Sequence, residues 1–161
     1  MSTIYMKVEG IDGNVTAKGH EKWIEIFGFG YGLARGITST NPGRQSNREA
    51  GVPSFSEITV SKLVDETSPK FFLESCIGVA KKIEVHFCQT GDNPRNFVEF
   101  VLTNVLISRY NFNGPSGNAH PTETLTLNYT KIETKYTPYN DKHGVGTPIP
   151  AGYDLVTATK V

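Results

Sequence analysis

Sulfur is scarce in this chain: two cysteines in 161 residues, Cys76 and Cys88, with no Cys-x-x-Cys or Cys/His spacing around either. That excludes a disulfide framework or a cysteine zinc motif and predicts two free thiols. Net charge is lacking too. Sixteen Lys and Arg balance sixteen Asp and Glu, and the signs are interspersed. No basic stripe is present to neutralise phosphates, so nucleic acid is not an expected partner. No apolar run approaches the roughly 18 to 20 residues that span a bilayer, and the first ten residues lack the basic, apolar and small-residue tiers of a secretory leader. The expectation is folding in the cytoplasm, without membrane insertion. His20, His86, His120 and His143 stand in different segments, none at ligand spacing, so neither a metal nor a cofactor is expected. No nucleophile elbow appears, and no glycine-rich turn opens a helix, so neither a catalytic site nor a phosphate cradle is expected. Repeats, low-complexity segments and linkers are also missing. Residues 1–161 therefore read as one domain, long enough for a single core.

What the chain does contain is one clear helix among strands. Residues 65–78 read Asp-Glu-Thr-Ser-Pro-Lys-Phe-Phe-Leu-Glu-Ser-Cys-Ile-Gly. Ser68 is placed to accept from the free N–H groups of the first turn. Pro69 supplies a preset φ, and Gly78 can take a left-handed cap. Phe72, Leu73, Cys76 and Ile77 form one apolar face, with Lys70 and Glu74 pointing away. That face is expected to dock on the end or side of a β-barrel.

The remaining segments alternate with the period of strands. Residues 4–9 begin the series. Residues 21–33 read as a long strand with Trp23, Phe27, Phe29 and Tyr31 on one parity and Gly28, Gly30 and Gly32 between them. Glycine inside a strand marks a bend, a bulge or a close approach, here read as sheet curvature. Residues 55–64 form a strand that leads into the helix. Ile83, Val85 and Phe87 alternate with Lys82, Glu84 and His86 in the strand that follows it. Residues 97–110 carry Val98, Phe100, Leu102, Leu106 and Tyr110 on one parity. Val101, Val105 and Ile107 lie on the other, so that face is not plainly solvated. In residues 122–137 the apolar phase moves from Leu125, Leu127 and Tyr129 to Ile132 and Tyr136, which predicts a bulge near Thr130. Tyr153, Leu155 and Val156 can add a last short strand. Residues 36–54 are polar, unpatterned and unusually long for a connection, which points to a contact arm.

The order of these segments carries a resemblance. Phe-Ser-Glu-Ile-Thr-Val-Ser-Lys-Leu-Val-Asp-Glu-Thr-Ser-Pro (55–69) follows the strand and arm, and Cys-Ile-Gly (76–78) ends the helix. Glu-Thr-Leu-Thr-Leu-Asn-Tyr-Thr-Lys-Ile-Glu-Thr-Lys-Tyr-Thr-Pro (123–138) comes next, and the tail holds Ala-Gly-Tyr-Asp-Leu (151–155). Together with His20 before the second strand, this pattern closely resembles the haemolysin-coregulated protein family, the inner-tube protein of bacterial type VI secretion. The resemblance implies a mainly β fold: a small β-barrel of two packed antiparallel sheets, a short flanking helix at about 68–78 and a long extended loop at 36–54. It also implies hexameric rings that stack into a tube inside a contractile sheath, propelled from the cell with its spike and able to carry small effectors in the lumen. The expected partners are further copies of the chain, the sheath, spike and baseplate proteins, and small effector proteins. Assembly in the cytoplasm would be followed by secretion without a signal peptide. By position, Pro42, Gly43, Arg44, Gln45, Ser46, Asn47, Arg48 and Glu49 are the expected subunit or ring-stacking contacts, and shortening 43–50 should weaken stacking without unfolding the barrel. The alternative reading is a monomeric β module that binds a carbohydrate or other small ligand through Trp23, Phe29, Tyr31 or Tyr110.

Overall fold

The computed structural model describes residues 1–38, 49–140 and 144–161. Its strands are β1 (Ser2–Val8), β2 (Ile24–Ile26), β3 (Gly28–Gly30), β4 (Leu33–Ala34), β5 (Ser54–Phe55), β6 (Ile58–Leu63), β7 (Lys81–Gln89), β8 (Arg95–Asn113), β9 (Thr122–Asn128), β10 (Lys131–Tyr136), β11 (Ile149–Asp154) and β12 (Thr159–Lys160), with helix α1 (Ser68–Ile77) between β6 and β7. All named pairings are antiparallel. One sheet runs β12-β11-β10-β8-β7-β1-β2, and the second runs through β3, β6, β9 and β8. The long β8 serves both, so the two inner faces enclose one core.

The register explains that core. Met6 pairs with Val85 and with Ile24, and Val8 pairs with Ile83, so the inward parity of β1 meets the inward parity of both neighbours. In the second sheet Ile58 faces Leu127 and Val60 faces Leu125. All nine of these residues are almost completely buried. One step further along the same inward rows stand Lys62 and Glu123, directly opposite each other and equally buried. The alternation that would set an aliphatic pair there sets an ion pair instead.

The mainly β architecture, two packed sheets and a short helix agree with the sequence reading. Closure into a barrel does not: the sheets are not closed on themselves, because the hydrogen-bonded path starts at the two-residue edge strand β12 and ends at β2. The expected strand over 21–33 is also broken. Ile24 and Ile26 are buried, Phe27 is exposed, and the chain bends there before β3 joins the other sheet. Trp23, Phe27, Phe29 and Tyr31 therefore do not share a face. Gly28 sits at the bend against Ser61, where a Cβ would lie 3.1 Å from the Ser61 Cβ.

The mixed parity of β8 has a similar cause. Asn104 has φ of 54°, and the β7–β8 register shifts there, so Leu102 and Val105 both point inward while Leu106 is left exposed. Asparagine tolerates this left-handed conformation better than β-branched residues do. The break expected near Thr130 is present between β9 and β10, where the Thr130 N–H donates to Thr103 O at 3.1 Å. Next to it Tyr129 is buried and donates to Ser56 O at 2.9 Å. Burial, followed by the nearby Tyr31, pushes its pKa up to about 12.

Candidate assembly surfaces

Helix α1 is anchored by one aromatic side chain and a polar base. Phe71 is completely buried in the core, whereas Phe72, Leu73 and Ile77 are 59%, 55% and 74% exposed. The expected docking face is thus turned outward, apart from an edge contact of Phe72 with Tyr110 at 6.3 Å between ring centroids. Its caps differ from expectation as well. Thr67 is the N-cap residue without a side-chain cap bond, and Gly78 is extended at φ −62°. Crowding accounts for the glycine, since a Cβ at Gly78 would lie 2.2 Å from Glu74 O. Ser68 works through its side chain in another way: its Oγ accepts the Asp65 N–H at 3.0 Å and donates to Glu123 Oε1 at 2.9 Å.

Those bonds belong to a network beneath the helix. Lys62 Nζ donates to Glu123 Oε1, to Asp65 Oδ1 at 3.0 Å and to Leu63 O at 2.9 Å. Tyr110 donates to Glu123 Oε2 at 2.5 Å, and burial together with that carboxylate pushes the phenol pKa up. At Asp65 burial acts to raise the pKa, but hydrogen bonds from Thr67 and Lys62 outweigh it and hold the carboxyl below its ordinary value. Among the described residues no buried side-chain nitrogen or oxygen lacks a hydrogen-bond partner. The network ties β6, β8 and β9 to the start of α1, so the exposed apolar face is presented on a fixed support.

The second exposed feature is the root of the arm. Leu33 pairs with Phe55 and Ala34 with Ser54, followed by an Ile37–Ala50 bridge. The Thr38 N–H donates to Glu49 O at 3.0 Å, and Gly51 N–H donates to Gly36 O at 2.8 Å. The described ends of the connection read as unpatterned therefore pair as a two-stranded ribbon, with Leu33, Ile37 and Val52 exposed along it. An isolated ribbon of this kind is marginally stable by itself in water. Of the expected contact residues, Glu49 lies in this root and is exposed. Pro42, Gly43, Arg44, Gln45, Ser46, Asn47 and Arg48 lie outside the described residues.

The aromatic residues of the ligand-binding alternative are dispersed. Phe29, Tyr31, Phe87, Phe97 and Phe100 line an apolar groove of about 440 Å³. Trp23 is buried elsewhere, edge-on to His20, and Tyr110 is held by Glu123. The contact between His20 and His86, 66 residues apart, gives no signal in local spacing. Their Nε2 and Nδ1 atoms lie 3.0 Å apart, with Cys88 Sγ 3.6 Å from His20 Nε2. Cys88 does not have the character of a nucleophile: its S–H donates to Asn96 Oδ1 at 2.7 Å, and burial, then the Glu99 charge, pushes the thiol up to about 11. No group of three or more His, Cys, Asp or Glu among the described residues is arranged to hold a metal ion. Cys76 and Cys88 are both free.

Two antiparallel sheets sharing a long strand, a helix held on a buried polar base and a separate two-stranded ribbon define a β-rich protein with exposed apolar residues on the helix and the ribbon. Residues 5–136 match the family model described as "Type VI secretion system effector, Hcp", and the chain belongs to that family, the haemolysin-coregulated proteins of type VI secretion. A solved structure described as that of a type six secretion system protein is 28% identical, with each chain covered completely and a TM-score of 0.91. Hcp1 from Salmonella typhimurium is 18% identical over 99% of both chains, with a TM-score of 0.76. A type VI secretion system effector from Yersinia pestis is 20% identical over 94% of this chain and 98% of its own, with a TM-score of 0.70. Comparison with curated protein sequences gave no match.

Proposed function

We propose that the chain, acting as one domain over residues 1–161, is a structural subunit of the type VI secretion tube. Copies form hexameric rings, and the rings stack into a tube that is propelled from the cell with its spike and can carry small effectors in its lumen. The role is mechanical rather than enzymatic. The observation that carries this reading is the likeness at a TM-score of 0.91 to a type six secretion system protein over the whole of both chains. The surface is consistent with it. A ring needs two different faces of one subunit that meet by rotation, and stacking needs a further contact. The outward face of α1 and the ribbon are separate apolar features available for such contacts. Formal neutrality limits repulsion among many copies. Sheath, spike and baseplate proteins are the further partners, and export follows cytoplasmic assembly.

The test is the solution mass of the purified protein by light scattering, with electron microscopy of the same peak. The expected outcome is a six-fold ring with an open centre. A stable monomer at high concentration would overturn the reading and favour the ligand-binding module.

A further inference from the structure

His20 is 8% exposed and plugs the inside of the 13–22 loop. It stacks on Tyr5 of β1 at 4.7 Å between centroids and stands edge-on to Trp23. Its neighbour His86 sits on β7, with Nε2 at 3.3 Å from Glu99 Oε1 and Nδ1 at 3.1 Å from Asn96 Nδ2. The proton arrangement follows from assigning the Cys88 S–H to Asn96 Oδ1. Asn96 Oδ1 takes the Cys88 S–H, so its amide Nδ2 is turned to His86 and donates to Nδ1. The His86 proton is therefore on Nε2, facing Glu99. His20 Nε2, 3.0 Å from the same Nδ1, must also donate to it. Two donors from two different segments thus converge on one lone pair.

We propose that this contact is a proton-sensitive lock between the 13–22 loop and the start of β8. A proton on His86 Nδ1 would point at two N–H donors, which disfavours keeping both the loop and Asn96 in place. The ladder offers little resistance at this point, because the β7–β8 register is already shifted between Phe87 and Cys88. The lock borders a cavity of about 430 Å³ lined by Tyr5, Lys18, His20, Arg95, Asn96 and Tyr139, among others, which gives the released loop room to move.

Titratable and charged groups surround the pair. Tyr5 faces the pair from β1, Lys18 and Glu21 from the loop, Glu84 and Cys88 from β7, Arg95 and Glu99 from β8, Lys135 from β10, and Tyr139 from the segment after it. Glu99 would favour a charged His86, but Lys135 already binds its other oxygen at 2.6 Å. Burial holds both imidazoles below the ordinary histidine value. A pKa lowered on folding leaves the contribution complete above the unfolded value of about 6.5 and removes it as pH falls from there toward the folded values. The proposal does not rest on the ring reading, since the lock lies within one subunit.

Hydrogen–deuterium exchange of the intact protein, read by mass spectrometry and corrected for intrinsic rates, tests this at any oligomeric size. Between pH 7.5 and 5.0, peptides covering 13–22 and 89–96 are expected to lose protection at least about tenfold, while those of β6 and β9 are unchanged. His86→Asn, whose Oδ1 stands near the Nδ1 position and does not titrate, should remove the response. Asn96→Asp replaces one of the two donors with a carboxylate acceptor and should lessen the loss at pH 5.0. An unchanged wild-type loop would overturn the proposal, whichever variants fold. The same loss in His86→Asn or Asn96→Asp as in the wild type would also overturn it.

Discussion

Lys62 and Glu123 show how a residue can follow the pattern of a strand while breaking its chemistry. Both occupy inward positions of β6 and β9, and both side chains are fully removed from solvent. Burying two charges is tolerable only because the remaining donors and acceptors find Asp65, Leu63 O, Ser68 and Tyr110. Lys62→Met would leave Glu123 as an unpaired buried carboxylate, and the expected loss is about 3–5 kcal/mol of stability. The double change Lys62→Met with Glu123→Leu should recover part of that loss, because no orphan charge then remains. Denaturant unfolding of the two single variants and the double variant measures the coupling. Additive effects would mean that the pair does not act as a unit. Acid should weaken the same base: with its pKa lowered on folding, the contribution of Asp65 is complete above the unfolded value of about 3.9 and is lost as pH falls through the lower folded value.

At the scale of elements, α1 separates a buried anchor from an exposed apolar face. Phe71 is the buried anchor, and truncating it to Ala should cost about 3–5 kcal/mol. Leu73 and Ile77 are more than half exposed, so Leu73→Ser with Ile77→Ser should change subunit stability by no more than about 0.5 kcal/mol per site. If that face is buried between copies, the same double variant should lower the mass seen by light scattering. An unchanged ring would remove the helix from the contact. The helix span was legible because proline and glycine bracket it, and the strands of the core were legible from their alternation. Which helical face turns inward was not: Phe71 and Phe72 are adjacent and chemically identical, and only the docking geometry distinguishes them. The bulge at Asn104 was hidden for a related reason. Apolar residues on both parities of β8 can mean two covered faces or one face with a phase slip, and the positive φ decides for the slip. The His20–His86 contact depends on register between distant segments, which local spacing does not encode.

At the scale of the whole molecule, the ribbon formed by the described ends of the arm stands apart from the core sheets. Its root is closed by the Ile37–Ala50 bridge and by the Thr38 and Gly51 amides, and it makes a two-stranded sheet separate from the main array. Under the tube reading, an exposed ribbon of this kind is suited to reach another copy. That separation sharpens how the arm should be shortened. Removing 43–50 would take away Glu49 and Ala50 and open the root, confusing a lost contact with a lost hairpin. Replacing 43–48 with a Gly-Gly turn keeps both residues, and the core strands should melt within about 2 °C of the parent, since surface changes away from core features are usually within about 0.5 kcal/mol. Under the tube reading, rings of the shortened protein still form but stack less, seen as fewer multi-ring particles by electron microscopy at equal concentration. A loss of subunit folding in this variant would place the arm in the core economy of the fold. Undiminished stacking would remove the arm from the contact between rings and leave the faces of the sheets and α1 to supply it.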